Sequence, residues 1–459
     1  MACKAQTNGR IYLHSGPRTE LHEIIRREYA RHQDRAVPRN TLRQAVQGML
    51  DTFAYQNFDA AAGEYTNRCC RPPRETEMRP WRLVTEIGWT GGGVLAYPLV
   101  LCRDALGADA EAPLAAAMSG EQLFDRIADA YNENSGLLND LMAPNAAGSQ
   151  VNGWWTGYGL VKNCHCAYTV GSAVHYLTKT MDYLHQNGKP CPAKWMDAAQ
   201  KVLHTVMDLQ RADGAFGYTY STQERKVLDW SGFAGCWFAP ALVYLYRLTG
   251  EERCLHSAEK ALDYYHTFVK DLNCYGTPMD TWKAVDEEGN LAFMRGSRLL
   301  YEQTGKAEFL QYMKDSAGYE FLWRYGYKTY PEHTPLNQGW SACGGAVTSV
   351  SNPHIHPMGV IIDTDLRYLA RVTGDGYYAS RAADSAAWML QCLELYPAAT
   401  SYGRYGILSE RWCPSDGLDV ERFSDGRPFS SWFSHNLWAS ACVLEAACEL
   451  LLEIEHKKG

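Results

Sequence analysis

The chain has no uninterrupted apolar run long enough to cross a bilayer. Its first sixteen residues, MACKAQTNGRIYLHSG, lack the apolar core of a secretory leader. No stretch is dense in Lys or Arg, and the formal net charge is −8, which argues against nucleic acid and anionic membrane as partners. There is no low-complexity tail, so nothing marks a disordered region. Cysteine is plentiful, at 15, but the number is odd and the spacing fits no disulfide framework. Several cysteines fall inside helical patterns (Cys102, Cys236, Cys254, Cys392, Cys442, Cys448) and read as buried free thiols of a reducing compartment. The expected location is the cytoplasm. At 459 residues the core can be large without staples.

Aromatic residues are abundant, with 14 Trp and 29 Tyr. Much of the Trp lies in Gly-rich loops (Trp89, Trp154, Trp155, Trp230, Trp282, Trp340, Trp432) and not in helical stripes. Core packing must account for most Trp. It accounts less well for those beside loop acids and histidines. Residues 275–291, YGTPMDTWKAVDEEGNL, are the densest such stretch: Asp280, Asp286, Glu287, Glu288, Trp282 and Lys283 precede a helical run. Acids there could simply cap a helix. Recurrence of similar stretches along the chain shifts the balance towards function.

Each recurring unit is a loop of this kind, an apolar helix, a short turn and an amphipathic helix. The turns repeat as well: Leu248-Thr249-Gly250-Glu251, Gln303-Thr304-Gly305-Lys306 and Val372-Thr373-Gly374-Asp375 share one pattern, with Gly expected as the helix C-cap. Apolar helices are expected to begin near Gly91, Ala167, Gly232, Gly289, Pro357 and Ser434. Five are followed by an amphipathic helix, and an N-terminal helix is left over to serve the sixth. The reading is all-α, a closed (α/α)6 toroid of six hairpins with inner and outer helix rings. Residues 1–16 are expected to form a loose N-terminal arm, and residues 17–459 a single barrel domain.

With the Thr-Gly turns, the stretch Gln210-Arg211-Ala212-Asp213-Gly214-Ala215-Phe216-Gly217 and the aromatic, acidic loops before inner helices, nearly the whole chain resembles the six-hairpin glycosidase superfamily. The resemblance extends towards exo-β-glucuronidase-like groups. It implies carbohydrate chemistry, although the superfamily also holds sugar epimerases, polysaccharide lyases and terpenoid cyclases. No catalytic residue is carried over from it.

In a closed ring the six inner-helix entrances share one hollow, and their positive ends suit anionic groups. That end would gather Glu86, Trp89, Trp154, Trp155, His165, Trp230, Asp280, Trp282, His354, His356, Asp363, Trp432 and His435 around a sugar. Glycoside hydrolysis needs two carboxyls, one protonated and one ionised. Asp229 and Glu288 are the first candidates, because each adjoins a Trp-bearing loop at an inner-helix start. Glu86, Asp280 and Asp363 are reserves. His354 and His356, flanked by Pro353 and Pro357, point to hydrogen bonding with sugar hydroxyls or to proton transfer. Asn163-Cys164-His165-Cys166 raises a zinc reading, but the remaining cysteines stand in no matching order. No metal or cofactor is expected. A uronate would need a cation, for which Lys162, Lys283, Arg295 and Arg411 are available.

The leading expectation is a glycoside hydrolase, exo-acting on short oligosaccharides or glycosides, with β-glucuronides or related uronides as substrates. The alternatives are a uronate lyase using His and Tyr, a sugar epimerase, and a carbohydrate-binding toroid without catalysis. Homo-oligomer formation is left open.

Overall fold

Gly250, Gly305 and Gly374 close the three repeated turns with φ of 72°, 66° and 69°. This left-handed region favours glycine, and it ends each helix where the sequence pattern breaks. The Gly250 and Gly305 N–H groups donate to Tyr246 O (2.7 Å) and Tyr301 O (2.9 Å). The chain then reverses into the next helix.

The computed structural model describes residues 11–13, 15–32, 35–69, 79–82, 86–89, 91–141, 152–155, 160–276, 283–328, 341–350, 352–393, 395, 406, 408, 410, 412 and 434–456. The helices are α1 (Leu21–Arg31), α2 (Leu42–Thr52), α3 (Gly93–Leu106), α4 (Glu111–Ala116), α5 (Gly120–Asp129), α6 (Ala167–Gln186) and α7 (Ala193–Asp208). They continue as α8 (Phe238–Thr249), α9 (Glu252–Lys270), α10 (Glu288–Thr304), α11 (Ala307–Trp323), α12 (Asp363–Thr373), α13 (Gly376–Cys392) and α14 (Leu437–His456).

Inner helices α3, α6, α8, α10, α12 and α14 touch in that order, and α14 packs back on α3 to close the ring. Helices α5, α7, α9, α11 and α13 follow as the outer ring, and α2 takes the sixth outer place against α14 and α3. The leftover N-terminal helix thus fills the predicted gap. Helix α1 lies outside, on α11. Of the arm, residues 1–10 lie outside the described residues; Ile11 and Leu13 are exposed, and Tyr12 bonds Glu28 and Arg31 of α1.

Burial follows from composition. Helix α6 is buried along almost its whole length, as an inner helix packed on all sides must be. Helix α7 buries Trp195, Ala198, Ala199, Val202, Leu203 and Val206, the single stripe of an outer helix. All six helical cysteines singled out in the sequence are buried. No helix among the described residues is long and apolar enough to cross a membrane.

The loop after α7 holds the Gln210–Gly217 stretch. Gly214 has φ of 96°, and a Cβ there would stand 2.0 Å from Lys260 O. Gly214→Ala is therefore expected to cost about 2–3 kcal/mol. The denaturant midpoint would fall, and an unchanged midpoint would contradict the packing described.

Candidate active site

The loops at the N-terminal ends of the inner helices form a continuous collar. Ile87 N–H donates to Asp140 O (2.9 Å), joining the first loop to the segment before the second. The Cys164–Cys166 strand pairs with Thr219–Ser221, which pairs with Val227–Asp229. Phe233 N–H donates to Tyr275 O (2.8 Å), and Glu287 N–H to Thr348 O (2.8 Å). Residues 346–349 pair with the Asn352–His356 strand. His356 stacks on Trp438 at 6.0 Å, and Trp438 stacks on Trp89 at 5.6 Å, which returns the collar to the first loop. This ring of contacts gathers the inner-helix entrance loops at one end of the barrel.

Glu287 and Glu288 open α10 and, being adjacent on a helix, diverge by about 100°. Glu288 turns towards the axis, 7% exposed. The Tyr168 phenol of α6 and Cys442 of α14 lie beside its carboxyl. Burial, and then the nearby Glu288, hold the Tyr168 phenol well above its usual range, so it remains a donor. Trp438 stands one turn before Cys442 on α14, so the Trp89–Trp438–His356 stack forms a wall on the Glu288 side. Deeper in the barrel Lys179 bridges Glu445 and Glu449, with Nζ 2.7 Å from Glu449 Oε1, and this ionic layer underlies the hollow.

His354 and His356 share one face of their strand, because side chains alternate. Ile355 faces the other way, towards Gly345 and Trp388. His356 Nδ1 lies 2.9 Å from His354 O. A carbonyl only accepts, so Nδ1 carries the hydrogen and Nε2 of the neutral ring keeps its lone pair. This arrangement suits a proton acceptor or a partner for a hydroxyl.

Asp229 lies at the rim, about one-third exposed, with Oδ2 2.6 Å from Lys283 Nζ and Oδ1 accepting from Ser231 N–H (2.8 Å). Lys283 also sits over the Tyr218 ring at 5.0 Å, and Tyr218 senses both Asp229 and Asp286. The Asp229 and Glu288 loops adjoin through Gly232 and Gly276, whose close approach leaves no room for a Cβ on Gly276. Glu86 is buried where its backbone pairs with Leu141.

The remaining sequence candidates are placed differently. His165 is buried between Asp140 (Nδ1–Oδ2 2.8 Å) and Ser135 (Nε2–Oγ 3.0 Å), so both ring nitrogens are engaged in tying the second loop to its neighbour. Cys164 and Cys166 lie on the opposite face of that strand from His165. Burial raises both thiols, Cys164 to about 11. Among the described residues no group of three His, Cys, Asp or Glu is placed to hold a metal. Trp154 is buried, and Trp230 packs under the Arg211 guanidinium (5.2 Å), which pairs with Asp213. Asp363 faces the outer ring, 2.9 Å from Arg324 Nη1, and burial pushes it up to about 6 although Arg324 opposes this. Arg295 pairs with Asp365, and Lys162 is exposed. Asp280, Trp282, Trp432 and Arg411 lie outside the described residues; Trp155 and His435 are described only as strand backbone.

Tyr168, Tyr218 and Trp438 were not singled out from the sequence, and Glu287 was named only among the acids of its stretch. Trp438 and Tyr168 both sit in the first turn of an inner helix, and that position was the available signal.

No family model and no curated protein matches the sequence. Solved structures do resemble the fold. A family 76 glycoside hydrolase from a bovine Bacteroides thetaiotaomicron strain gives a TM-score of 0.57 at 12% identity, covering 91% of this chain and 78% of its own. A D-mannose isomerase gives 0.55 at 12% identity, covering 90% and 97%. An unsaturated glucuronyl hydrolase specific for heparin gives 0.52 at 12% identity, covering 90% and 96%. The chain shares the (α/α)6 barrel fold of these structures.

Proposed function

We propose that this protein is a glycoside hydrolase whose substrate ring lies in the collared hollow. The observation that carries the reading is Glu288: an axis-facing carboxyl, largely buried, beside the Tyr168 phenol and flanked by an aromatic wall. A carboxyl shielded in this way suits the general acid that protonates a leaving sugar oxygen. Asp229, ion-paired to Lys283 on the adjoining loop, serves as the ionised partner, the base or nucleophile. Trp89 and Trp438 offer flat faces to a pyranose. Exo-action on short oligosaccharides or uronides extends the same reading, with support from the heparin-specific hydrolase among the similar structures.

The test is a panel of aryl glycosides, including β-glucuronides. Release of the aryl group, lost in Glu288→Gln, is expected; no release from any member would remove the hydrolase reading. A second reading, sugar isomerisation or epimerisation, is favoured by the paired His354 and His356 with one tautomer fixed. It predicts a mass-neutral product and solvent deuterium incorporated at the sugar carbon that loses its proton.

A further inference from the structure

Glu287 is wholly buried, and neither of its carboxyl oxygens meets an N–H donor. Glu320 of α11 is equally buried. Its Oε1 accepts from Arg324 Nη2 (2.7 Å) and Nε (3.1 Å), while its Oε2 also meets no N–H donor. The two carboxyls are neighbours beside Gly359. A Cβ on Gly359 would stand 2.2 Å from Glu287 Oε1 and 3.0 Å from Glu320 Oε1, so both oxygens flank a point that only glycine leaves open. Two ionised carboxylates have no donor between them and repel. A single proton converts the repulsion into a strong O–H···O bond. Arg324 grips Glu320, so the negative charge rests there and the proton on Glu287. Burial and then the Glu320 charge hold the Glu287 carboxyl well above its usual range, in agreement with the geometry.

The titratable and charged groups around Glu287 are Glu320 and Arg324 from α11, Glu288 on its own helix and Cys442 from α14. Arg324 in turn reaches Asp363 of α12. Glu287 and Glu288 interact as like charges when both are ionised. The charge on Glu287 therefore bears directly on the proton that Glu288 must deliver.

We propose that Glu287 is a positioning residue: it holds the one proton of a Glu287–Glu320 pair and so keeps the residue beside Glu288 uncharged in the working enzyme. This rests on the assignment of Glu288 as the acid. In Glu320→Gln, Arg324 loses its partner and turns to Glu287, which ionises. The new charge strengthens the hold of Glu288 on its proton.

Two measurements on the full chain test this. The infrared difference between the wild-type chain and Glu287→Gln at neutral pH should show the loss of one carbonyl stretch of a buried protonated carboxylic acid, leaving that of Glu288 in place. The pH profile of kcat, on the aryl glycoside that the panel identifies, should have its basic limb moved up by roughly one pH unit in Glu320→Gln. Glu287→Gln/Glu320→Gln should return it. No band lost between the wild-type chain and Glu287→Gln, or an unmoved limb in Glu320→Gln, overturns the proposal. Full turnover in Glu288→Gln would remove the acid assignment alone, and the infrared band would still decide where the proton lies.

Discussion

Replacing Glu288 by glutamine is expected to lower kcat about a thousandfold while leaving the barrel folded. The amide keeps the shape and can still meet the Tyr168 hydroxyl, so circular dichroism and the melting curve should hardly change. It has no acidic proton to give a leaving oxygen. Tyr168→Phe should cost far less, about tenfold, because it removes only the hydroxyl beside the carboxyl. Steady-state kinetics on one active glycoside would separate the two. Equal losses would mean that the carboxyl and the hydroxyl act as a structural unit and that the acid lies elsewhere.

Arg324→Met is expected to be the most destabilising single change, costing about 3–5 kcal/mol. Arg324 is 3% exposed, gives Nη2 and Nε to Glu320, Nη1 to Asp363 (2.9 Å) and Nη2 to Gly359 O (2.8 Å). Without it, buried carboxyls of α10, α11 and α12 face one another with no cation between them. Urea unfolding should show the loss, and adding Glu320→Gln to Arg324→Met should recover part of it. The pH dependence has a definite sign. Asp363, raised to about 6, and Glu287, raised well above its ordinary range, bind protons more tightly folded than unfolded. Their contribution to stability is fully present below the ordinary carboxyl range, near pH 4, and is lost as pH rises through the raised values, about 6 for Asp363. In Arg324→Met the deficit should therefore shrink on acidification. A deficit independent of pH would contradict the cluster.

The architecture was legible because it is written in local pattern. The Thr-Gly turns at 249–250, 304–305 and 373–374 need only neighbouring residues to be read, and apolar stretches such as 238–249 declare an inner helix by composition. Even the use of the N-terminal helix as the sixth outer element followed from counting. The site was less legible. Glu288 stood out as an acid at a helix start, but nothing in the string separates it from Glu287, which faces the opposite ring. That distinction depends on helical phase and on Glu320, 33 positions further along. His165 resembled a site histidine because loop sequence does not reveal that Asp140 and Ser135 occupy both its nitrogens. Trp438 was passed over because it belongs to an apolar helix and looks like ordinary core.

The packing of α14 between α3 and α12, backed by α2, has a consequence for biosynthesis. The element that completes the toroid is translated after all the other helices of the ring. Until it arrives, the nascent arc must expose apolar flanks on α3 and α12 that have no other covering. Assembly should therefore be concerted and late, with a chaperone-dependent interval during translation, and chains stopped before residue 437 should aggregate instead of forming a five-hairpin barrel.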